Sequence, residues 1–157
     1  MSVSEAIDAL KAIRGDMIVL PGSDGYKNTI STYLSTFESE LKPAAFALPT
    51  NTQDVVQILK ILTAFAVKVP VAICGAGQQP AAGVANVDGG ITIHMYRFKG
   101  IELSPDRSFV SISPGEIWGN VYETLDPEGL SVSGCRASTG GIGGLSTHGW
   151  CWIISKL

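Results

Sequence analysis

An α+β fold built around a small βαβ unit is predicted by three features of the chain. Apolar residues 44–48, a long apolar helical run and residues 69–74 give strand, helix and strand in quick succession. The last of these strands opens straight into Gly75-Ala76-Gly77-Gln78-Gln79-Pro80-Ala81-Ala82-Gly83, a turn of small residues. A more antiparallel portion then leads into a second glycine-rich stretch, residues 134–149. At 157 residues the chain fits one domain, long enough to bury roughly two-thirds of its unfolded surface.

Ser2 and Glu5 have capping-box spacing, and Ala6, Ile7, Leu10 and Ile13 share one face before Gly15, which predicts a short amphipathic helix stopping there. Residues 17–20 form a strand ended by the turn cluster 21–25, and 26–37 read as loop with partial helix. Pro43 and Pro49 bound the strand 44–48. Thr50 or Thr52 then offers an N-cap for a helix carrying Val55, Val56, Ile58, Leu59, Ile61, Leu62 and Phe65. Apolar over most of its circumference, that helix is expected to be buried on two sides. Residues 69–74 read as a buried strand and 91–95, by their alternation, as a half-buried one. Residues 101–103 and 109–112 form an antiparallel hairpin around 104–107. Ile117, Trp118, Val121, Tyr122 and Leu125 sit at helical spacing closed by residues 126–129, and 130–133 make a short strand before the second glycine loop.

Hydrophobic residues make up 45% of the chain and charged ones 16%, well below the usual quarter, so some apolar surface is expected to stay uncovered. The net charge of -3 and the scattered Lys and Arg argue against a nucleic-acid or anionic-membrane partner. The first ten residues lack the pattern of a secretory signal, and no segment approaches the roughly 18 apolar residues of a membrane span, so a cytoplasmic location is expected. Cys74, Cys135 and Cys151 are odd in number and have no C-x-x-C spacing, which predicts free thiols and no zinc site.

Glycines at 75, 77 and 83 permit positive φ and leave the backbone uncovered, so successive amides can converge on a phosphate or pyrophosphate. A surface turn of small residues is the alternative. Pro80 in the sixth place, and the absence of a helical apolar face over 81–90, exclude a Rossmann fingerprint; no Gly-Lys pair followed by Ser or Thr exists for a Walker loop. Two separated glycine loops can instead grip a long dinucleotide such as FAD from both sides, with Ser138, Thr139 and Thr147 as hydroxyl donors. Arg136 either pairs with the ligand or is a solvated loop charge.

Residues 75–93, with Gly134-Cys135-Arg136 and Thr139-Gly140-Gly141-Ile142-Gly143-Gly144-Leu145, resemble the flavin domain of the vanillyl-alcohol oxidase and p-cresol methylhydroxylase family, most nearly its fungal berberine-bridge-enzyme-like oxidoreductases. Pro21-Gly22-Ser23 before Tyr26, and Pro49-Thr50 before Asp54-Val55, match as well. The resemblance covers residues 15–149. It implies an FAD-binding α+β domain of the p-cresol methylhydroxylase type, with a βαβ-containing subdomain over about 15–90, the start of a mixed, antiparallel second subdomain over about 91–149, and a non-matching tail at 150–157. The implied cofactor contacts are Gly75, Ala76, Gly77, Gln78, Gln79, Pro80, Gly83, Ser138, Thr139, Gly140, Gly141, Gly143, Gly144 and Thr147.

Gln78 stands where the family often carries a histidine bonded covalently to the flavin, so the resemblance implies non-covalent FAD. The second attachment position falls on Ala137, two residues from Cys135, and the usual acid after the 91–93 strand is His94. Family members continue into a substrate domain, so the resemblance implies an incomplete flavin domain, whether truncated, misread or one piece of a split protein. The implied function is an FAD-linked oxidoreductase acting on a small specialised metabolite, with hydride passing to flavin and oxygen reoxidising it. No residue is assigned as catalytic base; Tyr96, His94 and His148 are merely available. The alternatives are a non-catalytic remnant that binds a partner or itself through uncovered apolar surface, and a non-redox isomerase or cyclase.

Overall fold

The computed structural model describes residues 2–64 and 69–148. Helix α1 (Val3–Arg14) starts on the expected capping box, with the Ser2 hydroxyl accepting the Glu5 N–H and the Glu5 carboxylate returning to the Ser2 N–H. Ala6, Ile7 and Leu10 are buried, whereas Ile13 lies 47% exposed off that face. The α-helix stops at Gly15, its C-cap, as expected. The chain then runs through a 3₁₀ turn, Gly15–Met17, into β1 (Ile18–Val19).

The ambiguous stretch that follows holds two helices, α2 (Asp24–Ile30) and α3 (Thr36–Ser39), each capped by the serine before it. Strand β2 (Ala45–Ala47) is buried throughout. Helix α4 (Thr52–Ala64) takes its cap from Asn51, whose side-chain oxygen accepts the Asp54 N–H at 2.9 Å, rather than from either threonine. Ile58 is fully buried but Leu59 is 42% exposed, so α4 buries one side and not two. Phe65 lies outside the described residues.

Strand β3 (Val71–Cys74) and β4 (Ile91–His94) complete a four-stranded sheet of order β1-β2-β4-β3. β2 and β3 both run parallel to β4, which sits between them, and β1 is antiparallel at the far edge. The βαβ reading of β2-α4-β3 holds with one strand inserted. Two burial expectations are reversed by this order. β3 is an edge strand that buries Ala72 and Cys74 but leaves Val71 and Ile73 exposed, while β4 is central and buried at every residue. One core, with Ala6, Leu10, Met17, Ile58, Ile91 and Ile93, joins α1 and α4 to one face; a second, with Tyr26, Tyr33, Phe46, Leu48 and Cys74, fills the other. β4 therefore belongs to the first sheet, and the second sheet begins with the strands after it.

Beyond it, β5 (Ile101–Leu103) and β6 (Val110–Ile112) form the expected hairpin. Helix α5 (Trp118–Leu125) packs Trp118, Val121 and Leu125 against it and closes at Gly129 in the left-handed conformation, φ 66°. Residues 130–133 form no strand, and the second glycine stretch contains a short helix, α6 (Ile142–Thr147). The expected tail, with Cys151, lies outside the described residues. Among those described, no helix is long and apolar enough to cross a membrane.

Candidate functional site

Parallel neighbours β3 and β4 end side by side, with Cys74 opposite His94. The first glycine loop leaves from this point. Gly77 is left-handed at φ 67°, and a Cβ there would lie 3.1 Å from the Thr32 carbonyl oxygen and 3.2 Å from Tyr33 Cα. Only glycine fits without moving the 32–33 backbone. The Gly77 carbonyl in turn accepts the Leu34 N–H at 2.9 Å. Gln78 folds back so that its Nε2 donates to the Ala76 carbonyl at 3.3 Å, while Gln79 and Pro80 are exposed. At the far end of the loop, the Gly83 amide donates to Glu38 Oε2 at 3.3 Å, so this glycine serves an internal carboxylate.

The second loop is tied to the start of α5. Gly119 N–H donates to the Ser138 carbonyl at 2.8 Å, Trp118 N–H to Gly140 at 2.9 Å, and Ile142 N–H to Glu116 at 3.0 Å. Together they hold Gly141 in a bridge opposite Ile117. A Cβ on Gly141 would lie 2.7 Å from Ala76 Cβ, and one on Gly75 would lie 3.6 Å from the Gly144 amide nitrogen. The two loops, more than sixty residues apart in sequence, are thus in contact. Gly143 and Gly144 belong to α6 rather than to a loop, and the Thr147 hydroxyl is satisfied by the carbonyls of Gly143 and Gly144 at 3.2 and 3.1 Å. Ser138, Thr139 and Arg136 are exposed.

The seam has no room for a side chain at Gly141 and so presents main chain there, and backbone N–H groups are donors suited to a diphosphate. That fits the cofactor expected from sequence. Gly75, Ala76, Gln78 and Gln79 would hold it from one side and Gly140, Gly141, Ser138 and Thr139 from the other.

His94 lies directly beneath the loop and is fully buried. Its Nε2 is 3.0 Å from Thr32 Oγ1 and 3.3 Å from Cys74 Sγ, and the rings of Tyr33, Phe46 and Tyr96 surround it. Burial pushes its pKa down to about 4, so it is neutral at pH 7, and burial pushes the Cys74 thiol up to about 11. This packing makes His94 a core residue. His148 is exposed, with Nδ1 2.8 Å from the Gly144 carbonyl. Among the described residues no group of His, Cys, Asp and Glu could hold a metal ion.

Two polar residues that sequence reasoning passed over organise the loop. Glu38 is fully buried and accepts the amides of Gly83, Val84 and Ala85. Asn86, also buried, donates to the Glu38 carbonyl at 2.9 Å and accepts the Thr92 hydroxyl at 2.7 Å. An acid in a short polar stretch looks like a solvated charge; Asn86 sits in a run read only as loop.

The fold is that of flavoproteins of the p-cresol methylhydroxylase type. Xylooligosaccharide oxidase from Myceliophthora thermophila superposes on 93% of this chain with a TM-score of 0.72 at 21% identity, and p-cresol methylhydroxylase on 91% with a TM-score of 0.64 at 19%. Residues 43–152 match the FAD binding domain family, and the chain belongs to that family, with FAD as its cofactor. It is 32% identical over 145 residues to the FAD-dependent monooxygenase CTB5 of Cercospora beticola and 34% identical over 143 residues to the FAD-dependent monooxygenase drtC of Aspergillus calidoustus. These matches cover 89% and 90% of the chain but 28% and 27% of those proteins; it also covers 30% of the xylooligosaccharide oxidase and 28% of the p-cresol methylhydroxylase.

Proposed function

We propose that the chain is the cofactor-holding part of an FAD-dependent oxidoreductase of a small specialised metabolite, with the flavin bound non-covalently. The observation that carries this reading is the contact of the two glycine loops at Gly141 and Ala76. The names of the monooxygenase relatives support the reaction class. FAD, when bound, supplies the two-electron acceptor. The chain's own part is to bind and orient: main-chain amides of residues 75, 76, 78 and 79 and of Gly141 hold the diphosphate without a cationic partner, the Gly140 and Ile142 amides being taken by the Ala137 and Glu116 carbonyls. Gln78 offers a carboxamide and no nucleophile, so nothing at that position forms a bond to the flavin. Substrate recognition is assigned to portions of the relatives that this chain does not span, and the location proposed is cytosolic.

Absorbance of the purified protein near the flavin bands, before and after denaturation and filtration, tests this reading. The expected result is a yellow protein whose colour passes entirely into the filtrate. Colour retained on the polypeptide would contradict non-covalent binding.

A second reading, self-association without turnover, draws on one observation. Phe109 is 62% exposed beside an open, mostly apolar cleft of about 470 Å³ lined by Val110, Ile112, Trp118, Val132 and Ile142. It predicts a dimer in sedimentation that a Phe109→Ser change disperses, and a colourless protein; a flavin-loaded monomer would dismiss it.

A further inference from the structure

The segment just before β2 runs alongside the first glycine loop and binds it at successive points. Leu34 N–H donates to the Gly77 carbonyl at 2.9 Å, and the Ser35 hydroxyl to the Pro80 carbonyl at 2.9 Å. Glu38 Oε1 accepts Val84 N–H at 3.0 Å and Ala85 N–H at 2.7 Å, while its Oε2 accepts Gly83 N–H at 3.3 Å. The Tyr33 hydroxyl donates to the Ala85 carbonyl at 2.9 Å, and Lys42 N–H to Asp88 at 3.0 Å. Gly77 and Gly83, the loop's two left-handed glycines, are each held by this strap, one through its carbonyl and the other through its amide.

We propose that Glu38 is the positioning residue of the cofactor loop: its buried carboxylate gathers the three amides at the loop's far end, and with Leu34 and Ser35 it holds residues 78–82 in the shape that receives the diphosphate. Glu38 does not touch the cofactor. A carboxylate is an acceptor only, and two oxygens can take three N–H groups from consecutive residues, which no neutral side chain of this length can do. Released from it, the loop would have to be ordered by the ligand itself, and affinity would fall by the fraction of time the loop is correctly shaped.

The proposal rests on the FAD reading, and the test separates the two. In Glu38→Gln the carbonyl can keep the Val84 and Ala85 amides, but the NH₂ faces the Gly83 N–H, donor against donor. Hydrogen exchange of the Gly83–Ala85 amides in the flavin-free protein should accelerate in the variant, with the sharpest change at Gly83. FAD affinity, read by quenching of flavin fluorescence, should fall by about tenfold, the size expected for losing one charge-assisted hydrogen bond. Ser35→Ala, which removes an exposed contact and leaves the fold intact, should lower affinity by a smaller factor; it carries the test if Glu38→Gln does not fold. Wild-type affinity in both variants would overturn the proposal, as would unchanged exchange at Gly83–Ala85. If the wild-type chain takes up no FAD, the cofactor reading fails, and the exchange result alone then decides whether Glu38 shapes the loop.

Discussion

His94 ends the central strand as a neutral imidazole packed among three aromatic rings, and its consequence for stability has a definite sign. The folded protein resists protonating His94 until about pH 4, whereas the unfolded chain binds that proton near pH 6.5. Stability is therefore lost as pH falls from 6.5 towards 4 and is level below that, a loss on the order of 3 kcal/mol. Urea unfolding at pH 7 and pH 4.5 should show this slope in the wild type and a much flatter one in His94→Gln; equal slopes would place the acid sensitivity elsewhere. Gly77 shows a residue whose need was legible in sequence for an incomplete reason. Its positive φ was expected, but the side-chain space is closed by the Thr32–Tyr33 backbone rather than by a ligand. Gly77→Val should therefore cost about 1–3 kcal/mol of backbone strain even without flavin, visible as a lower thermal midpoint of the flavin-free protein, and should abolish FAD binding.

Elements in this chain are set by short polar contacts at their ends. Asp54, near the start of α4, accepts the Thr50 N–H and hydroxyl and pairs with Arg14 at 2.8 Å, joining the end of α1 to the start of α4. Burial alone would raise its pKa, but the two Thr50 hydrogen bonds and the Arg14 charge outweigh that and hold the carboxyl below its ordinary range. Asp54→Ala should cost on the order of 2 kcal/mol in chemical denaturation, since it removes one of the two carboxylates paired with Arg14 and the acceptor of three donors, the Thr50 N–H and hydroxyl and Asn51 Nδ2. A paired change tests the seam between the loops. Gly141→Ala places a methyl 2.7 Å from Ala76 Cβ, whereas a Cβ on Gly144, inside α6, meets nothing within 4 Å. Gly141→Ala should lower the thermal midpoint of the flavin-free protein and Gly144→Ala should leave it level or raise it; the reverse order would mean the loops are not in contact. The same elements show what sequence could and could not give. The capping box, α4, the hairpin and α5 were legible because their signals are local. That β3 is an edge and β4 is central was not, because both are short apolar runs and only the strand order decides which faces are covered. The strand expected at 130–133 had residues of the right kind but finds no pairing partner among the described residues.

For the whole molecule, the proposed cofactor binding rests on topology more than on any reactive side chain. β2, β4 and β3 run parallel and deliver the first loop to one end of the sheet, while α5 and its bridge to Gly141 bring the second loop against it. Glycine content announced both loops in the sequence; their meeting depends on tertiary packing, and so does Glu38, whose depth and three amide partners no local pattern reveals. The low charged fraction matches an apolar surface that remains open at Phe109, Ile73 and Leu34. The central claim, that the joined loops recognise the diphosphate rather than the flavin ring, is tested by competition against bound FAD in the purified chain. ADP should displace FAD and riboflavin should not; displacement by riboflavin with no effect of ADP would contradict it.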